Sequence, residues 1–386
     1  MQLTMRAYRM SAQESQPSST AARLFAPDAL RGLIITLMAL DHASHFIAHK
    51  HSSGEMWGGP YPVYTDTLTF LTRFVTHFCA PGFFFLMGVG MALWALSRQE
   101  QGWSKWHVIQ HFLIRAGVIL VIKFLVVNRA WGNPLYFGVL WALAGTMILG
   151  SLLLWLKPRY LLVLTGVLLI GMELLTPTPD QWGTQMGWLT RIFLVPGGVA
   201  GSAGETILWS NYPVLPWLEL VTLGIVFGKW LGDDPRKAFS LEWKLGAALL
   251  VAFVAVRYLD GFGNIRPRMG NSWIDFFNPV KYPPSIAYTL MTTGVNLIVL
   301  WLFSRVGTSL RNVFRPLVVL GRTPLFFYVL HLFLYAGLGY LLTPKGTSIP
   351  AMYPIWMLGL LILYPLCRLY EKLKHSQPAR LVLQFF

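Results

Sequence analysis

The chain has 386 residues, of which 55% are hydrophobic and only 12% charged, with a mean hydropathy of +0.52. A soluble domain carries roughly twice that share of charge, so a water-soluble globule is excluded and lipid is the expected solvent for most of the chain. The formal net charge is +15, but the basic residues fall in short gaps between apolar runs, which is a membrane-topology pattern and gives no reason to expect nucleic acid as a partner.

Residues 1–22 are polar (SAQESQPSST among them) and read by composition as a disordered cytoplasmic tail without the apolar core and cleavage site of a signal peptide. One transmembrane domain is expected over 23–375, followed by a short cytoplasmic tail, 376–386. A spanning helix needs roughly 20 mostly apolar residues. Such runs occur at 28–48, 68–97, 108–127, 135–156, 160–175, 213–231, 242–259, 284–303, 323–342 and 351–372. They predict an all-α, polytopic membrane helix bundle of about ten spans. Nine or eleven also fit, because the fifth run is short and the ninth starts at a proline.

The gaps alternate in charge. The N-terminal tail, every second gap and the C-terminal end carry eighteen Lys and Arg; the intervening gaps carry seven. The positive-inside rule puts the richer set, with both termini, in the cytoplasm. The loops 49–67, 176–212 and 260–283, rich in Gly, Pro, Trp and Asn, then lie on the periplasmic or luminal face. Long loops of this kind are packed and functional or act as seals. Cys79 and Cys367 both lie in apolar runs, so no disulfide framework is indicated.

Ionisable groups inside spans cost on the order of 2.5–3.5 kcal/mol each and face a protein interior or a cavity. The first span holds Arg31, Asp41, His42 and His45 and runs on to His49 and His51. Asp41 and His45 are one turn apart and share a helix face. A carboxylate beside an imidazole orients it and stabilises its protonated form, which suits a general base acting on an amine or hydroxyl; an interhelical polar knot would use the same residues. Asp41, His45, His49 and His51 include zinc-ligand types, but their order matches no metal signature and no metal is expected. His107 and His111 have an i, i+4 spacing without the intervening glutamate and read as solvated interfacial residues.

In the second span, Thr69, Arg73, Thr76 and His77 form a polar stripe leading to Pro81, which deprives the His77 carbonyl of its helical partner and predicts a kink. Deeper cations, Arg115 and Lys123 in the third span and Arg322 at the start of the ninth, suit phosphates at a cytoplasmic cavity mouth, although Arg115 and Arg322 could also snorkel. Glu219 and His331 are further intramembrane ionisable residues.

Five stretches together carry a family resemblance: RLFAPDALRGLIITLMALDH (23–42), THFCAPGFFFLMG (76–88), NYPVLPWLELVTLG (211–224), FFNPVKYPPS (276–285) and LGRTPLFFYVLHLFL (320–334). In this order they resemble the bacterial branch of the heparan-α-glucosaminide N-acetyltransferase catalytic-domain family, within the transmembrane acyltransferase superfamily, over residues 23 to about 372. The resemblance implies a ten- or eleven-helix fold and acetyl-CoA as donor, entering from the cytoplasm, with transfer to an amino or hydroxyl group of a sugar or glycan such as glucosamine on the opposite face. It implies a catalytic histidine just past the first span: His51 by position, with His49 or His45 as substitutes.

The family's polar residue late in the first span falls on Asp41. His77 stands where lysosomal members carry an aspartate, and joins His42 among the candidate catalytic residues. The luminal domain of the lysosomal members does not appear ahead of this bundle, so heparan sulfate itself is not the expected acceptor. Expected cofactor contacts are Arg31, Arg115, Lys123, Arg322, Tyr282 and His331; expected acceptor contacts are Arg73, Trp57 and Lys281, with Arg73 or backbone amides stabilising the oxyanion. A bacterial inner membrane is the expected location, and a homodimer is compatible with the family. The rival reading is a transporter of a small polar or anionic solute, but only one broken helix is visible and no inverted partner for it.

Overall fold

The computed structural model describes residues 24–51, 55–59, 61–64, 66–133, 135–177, 186–201 and 204–374; the two expected tails lie outside them. The chain folds into a bundle of helices: α1 Phe25–Phe46, α2 Thr67–Thr76, α3 Cys79–Glu100, α4 Lys105–Ile122, α5 Val139–Leu153, α6 Pro158–Leu175, a short α7 Trp188–Phe193, α8 Leu215–Asp233, α9 Pro235–Leu259, α10 Ile286–Ser304, α11 Arg315–Arg322, α12 Pro324–Leu342 and α13 Ile349–Lys374. Short strands β1 Tyr136–Phe137, β2 Gly197–Ala200 and β3 Thr206–Ser210 form one small sheet in the order β1-β3-β2, with β1 parallel and β2 antiparallel to β3.

Each of the ten predicted runs is helical, but only eight helices among the described residues are long and apolar enough to cross a membrane. The two others depart for different reasons. α5 has only 15 residues in its helix. α1 is long enough, but Asp28, Arg31, Asp41, His42 and His45 dilute its apolarity. That polarity is tolerable because protein surrounds the helix: α1 packs against α2, α3, α10, α11, α12 and α13. By contrast α6 is peripheral, with 6% of its most apolar stretch buried against 72% for α8 and for α10.

Glycines set two of the closest crossings. A Cβ on Gly32 of α1 would lie 1.8 Å from the Leu317 carbonyl oxygen, and one on Gly321 of α11 would lie 2.0 Å from the Asp28 carbonyl oxygen. Gly88 of α3 and Gly224 of α8 are paired in the same way, with Cβ positions 2.2 Å from Val221 O and 2.1 Å from Phe85 O. Such small-residue contacts let backbones approach in a bundle that has no hydrophobic force between lipid-exposed helices.

The predicted kink at Pro81 is present as a break. α2 ends at Thr76 and α3 begins at Cys79. The carbonyl that Pro81 cannot serve is satisfied from another helix: Tyr288 Oη of α10 donates to His77 O at 2.7 Å, and Asn296 Nδ2 donates to Phe78 O at 3.1 Å. The broken helix is therefore clamped to α10 at the level where its polar stripe ends.

Candidate functional site

The loops at the C-terminal end of α1 fold back over the bundle. α1 stops at Phe46, and Ile47 O accepts from Thr343 Oγ1 at 3.0 Å. His49 takes a left-handed φ of 54°, a conformation His tolerates better than most residues, and is exposed. The turn sends the chain back so that His51 returns toward Asp41. Further on, Glu55 O accepts from the backbone N–H groups of Lys281 and Tyr282, and Trp57 N–H donates to Tyr282 O at 2.8 Å. This pairing carries the Glu55 side chain into the protein, where it is 1% exposed.

The result is a buried network centred on Arg73. Its guanidinium pairs with Asp41 of α1 on one side and with Glu55 on the other. Nη1 also lies 2.9 Å from His51 Nε2. Asp41 Oδ2 is 3.5 Å from the same His51 nitrogen, and Thr76 Oγ1 donates to Asp41 Oδ1 at 3.0 Å. Glu55 in turn receives His77 Nε2 at 2.8 Å and faces Lys281 Nζ at 3.9 Å. Burial alone would push the Glu55 carboxyl up, but Arg73, His77 and Lys281 outweigh it and hold Glu55 well below the usual carboxylate range. Beside the network, the hydroxyls of Tyr212 and Tyr282 are 3.1 Å apart, and burial pushes both phenols up, so both remain protonated.

A cavity of about 1360 Å³ reaches this network from the other end of the bundle. It is lined by Asp28 and Arg31 near the start of α1 and ends at Asp41, Thr76, Tyr212 and Lys281. Asp28 and Asp41 are thirteen residues apart, so the cavity follows α1 for roughly 20 Å. Its mouth is basic. Arg322 bridges Asp28 Oδ2 and Glu371 Oε1, both at 3.1 Å, and Arg31 donates to Asp28 and to Gly321 O. Arg115 also lines the mouth and has no acidic partner among the described residues. His111 stacks on Trp94 there, and His107 is exposed on Ser104.

Arg31, Arg115 and Arg322 thus share one mouth, while Asp41, His51, Arg73, His77, Lys281 and Glu55 share one network. Four expected placements are corrected. Lys123 is not at the mouth: it sits where α4 passes into a π-turn, about 27 Å along the helix axis from Lys105, bonded to Asn128 Oδ1 and 4.5 Å from the Tyr136 ring centre. His45 is not paired with Asp41 despite the shared face; its ring packs on Trp131 and edge-on to His51. Arg73 has no nitrogen to spare for an oxyanion, because each one already faces an acceptor. Thr69 leaves the stripe to bond the helix-capping Asp66.

Tyr282 does not line the cavity and reaches it only through Tyr212; His331 lies behind His42. Trp57 ties loops together, its indole N–H donating to Pro177 O at 2.7 Å. Among the described residues no group of three or more His, Cys, Asp or Glu is disposed to hold a metal ion. Glu55 escaped the sequence reading because a lone carboxylate in a glycine-rich loop looks solvated; its only sequence signal is the need of Arg73 for a counter-ion.

Fold and site together define a multi-pass membrane protein with a deep cavity that leads from a mouth holding several arginines to a buried acid–base network. The family described as heparan-alpha-glucosaminide N-acetyltransferase, catalytic, matches residues 23–257, and the chain belongs to that family. It is accordingly a membrane acetyltransferase of that general kind. No curated protein matches the chain.

Proposed function

We propose that the protein takes an acetyl group from cytoplasmic acetyl-CoA and transfers it to an amino or hydroxyl group of a sugar or glycan at the periplasmic face of a bacterial inner membrane. The observation that carries this reading is the cavity: it is open at Arg31, Arg115 and Arg322 and closed by Asp41, which lies 3.5 Å from His51. The excess of basic residues in the gaps at the mouth end supports a cytoplasmic mouth and cytoplasmic termini.

In this reading the CoA phosphates rest at the arginine mouth, where guanidinium groups match phosphate geometry. The thioester extends along α1 toward Asp41. His51 Nε2, which accepts from Arg73 Nη1 in the resting site, exchanges that contact for a proton from the acceptor, and the Asp41 carboxylate stabilises the resulting imidazolium. Arg73 and Glu55 hold that pair in place. Lys281, at the inner end of the cavity, is the cation best placed for the developing oxyanion, in the role first assigned to Arg73. Release of free CoA from acetyl-CoA by purified protein, dependent on glucosamine or another amino sugar, tests the proposal. Tight acetyl-CoA binding without release for any amine or hydroxyl acceptor would contradict it.

A further inference from the structure

One pair of buried imidazoles is not used by this reaction scheme. His42 Nδ1 and His331 Nε2 are 2.6 Å apart, and His331 Nδ1 lies 2.9 Å from the carbonyl oxygen of Phe327. A carbonyl only accepts, so His331 carries its proton on Nδ1 and its Nε2 must accept. His42 Nδ1 is then the donor, and a neutral His42 has a bare Nε2. That atom has no hydrogen-bond partner among the described residues and is not among the sealed, unpartnered polar atoms. His42 lines the cavity and His331 does not. The chain of bonds therefore leaves one unprotonated nitrogen on a residue that lines the cavity next to Asp41, whereas His51 approaches Asp41 from the loop.

We propose that His42 is a second catalytic residue, the one that passes a proton to the CoA sulfur, and that His331 is the positioning residue that fixes its tautomer. The inference rests on the acetyltransferase reading above. An amino acceptor arrives as its ammonium and must shed two protons. His51 removes the first, which leaves to the outer solution. The free amine attacks the thioester carbonyl, a C–N bond forms, and the nitrogen of the tetrahedral adduct carries a positive charge. His42 Nε2 takes the second proton from that nitrogen and hands it to sulfur as the C–S bond breaks. The products are the acetamide, CoA thiol and one released proton, so atoms and charge balance. The titratable groups that face His42 are His331 and Tyr328 from α12, Asp41 and His45 from its own helix, and His51 from the loop.

The test compares wild type, His42→Gln, His42→Phe, His331→Gln and His331→Leu in detergent with glucosamine as acceptor, together with acetyl-CoA binding by thermal shift. Two donors are used: acetyl-CoA, and the acetyl thioester of thionitrobenzoate, whose thiolate leaves without a proton. The glutamine at 42 keeps a donor for His331 but cannot carry a proton. Both His42 variants are expected to bind acetyl-CoA like wild type and to release CoA about 10²–10⁴-fold more slowly, with most of that deficit gone for the aryl thioester.

His331→Gln, which retains an acceptor for His42, should keep more activity than His331→Leu, and the Leu variant should also alter the pH–rate profile. Full activity of a folded His42 variant, or an equal deficit with both donors, would overturn the role at sulfur. Absence of turnover in wild type, with every acceptor and donor, would overturn the acetyltransferase reading instead.

Discussion

Glu55 lies in a loop yet is 1% exposed and faces Arg73, His77 and Lys281 at once. Glu55→Gln keeps the shape and removes the charge. Arg73 then has Asp41 as its one remaining anion, and an amide N–H group is pressed among cations. Breaking a buried ion pair from one side costs about 3–5 kcal/mol. With an unfolding entropy of about 2.1 cal/mol/K per residue over a chain of this length, the melting temperature should fall by on the order of 5 °C.

The pH dependence has a definite sign. The folded Glu55 carboxyl is depressed below its ordinary value of 4.5. Its stabilisation is therefore fully present above that value and is lost as pH falls through the folded pKa. Wild type should lose melting temperature on acidification below about pH 4.5, and Glu55→Gln should lose less over the same interval. Because Arg73 also touches His51 and Asp41, CoA release should drop about 10–100-fold in the variant. Scanning fluorimetry in detergent from pH 3.5 to 7.5 and a thiol-release assay measure both effects. An unchanged melting temperature at pH 7 would refute the view of Glu55 as the counter-ion of the network.

Arg115→Ala should weaken acetyl-CoA binding about 10–100-fold, the loss of one guanidinium–phosphate contact at about 1.5–3 kcal/mol, and should flatten its salt dependence; titration calorimetry at two ionic strengths reads both. Tyr288→Phe should lower stability by about 1–3 kcal/mol by orphaning the buried His77 carbonyl, visible in the melting temperature without any change in acetyl-CoA affinity. Gly224→Leu should prevent α3 and α8 from closing, because even a Cβ there would sit 2.1 Å from Phe85 O; size-exclusion profiles and yield report it, whereas the exposed Gly337→Leu should be silent.

The architecture was legible because apolar runs and the alternation of basic gaps report lipid and topology directly. The break at Pro81 was legible for a local reason: a missing N–H leaves one identifiable carbonyl orphaned. What supplies the substitute, Tyr288, was not, since it lies 211 residues further along the chain. The polar character of α1 was visible, but that it is enclosed by other helices depends on packing. Helical spacing put Asp41 beside His45 and was misleading, because the stronger charge of Arg73 and the left-handed turn at His49 gave Asp41 other neighbours. Depth in a span likewise suggested a phosphate role for Lys123, although direction along the helix puts it at the wrong end. Glu55 could not be found from the sequence, because its burial follows from the pairing of two loops more than 200 residues apart.

The central claim, acetyl transfer by a histidine held at Asp41, is tested most directly by acceptor-dependent CoA release from acetyl-CoA with wild type and His51→Ala side by side. The account predicts turnover in wild type, its loss in the variant, and the same acetyl-CoA-induced thermal shift in both. Turnover that survives His51→Ala would move the chemistry to another residue, and acetyl-CoA that neither binds nor turns over in wild type would contradict the account.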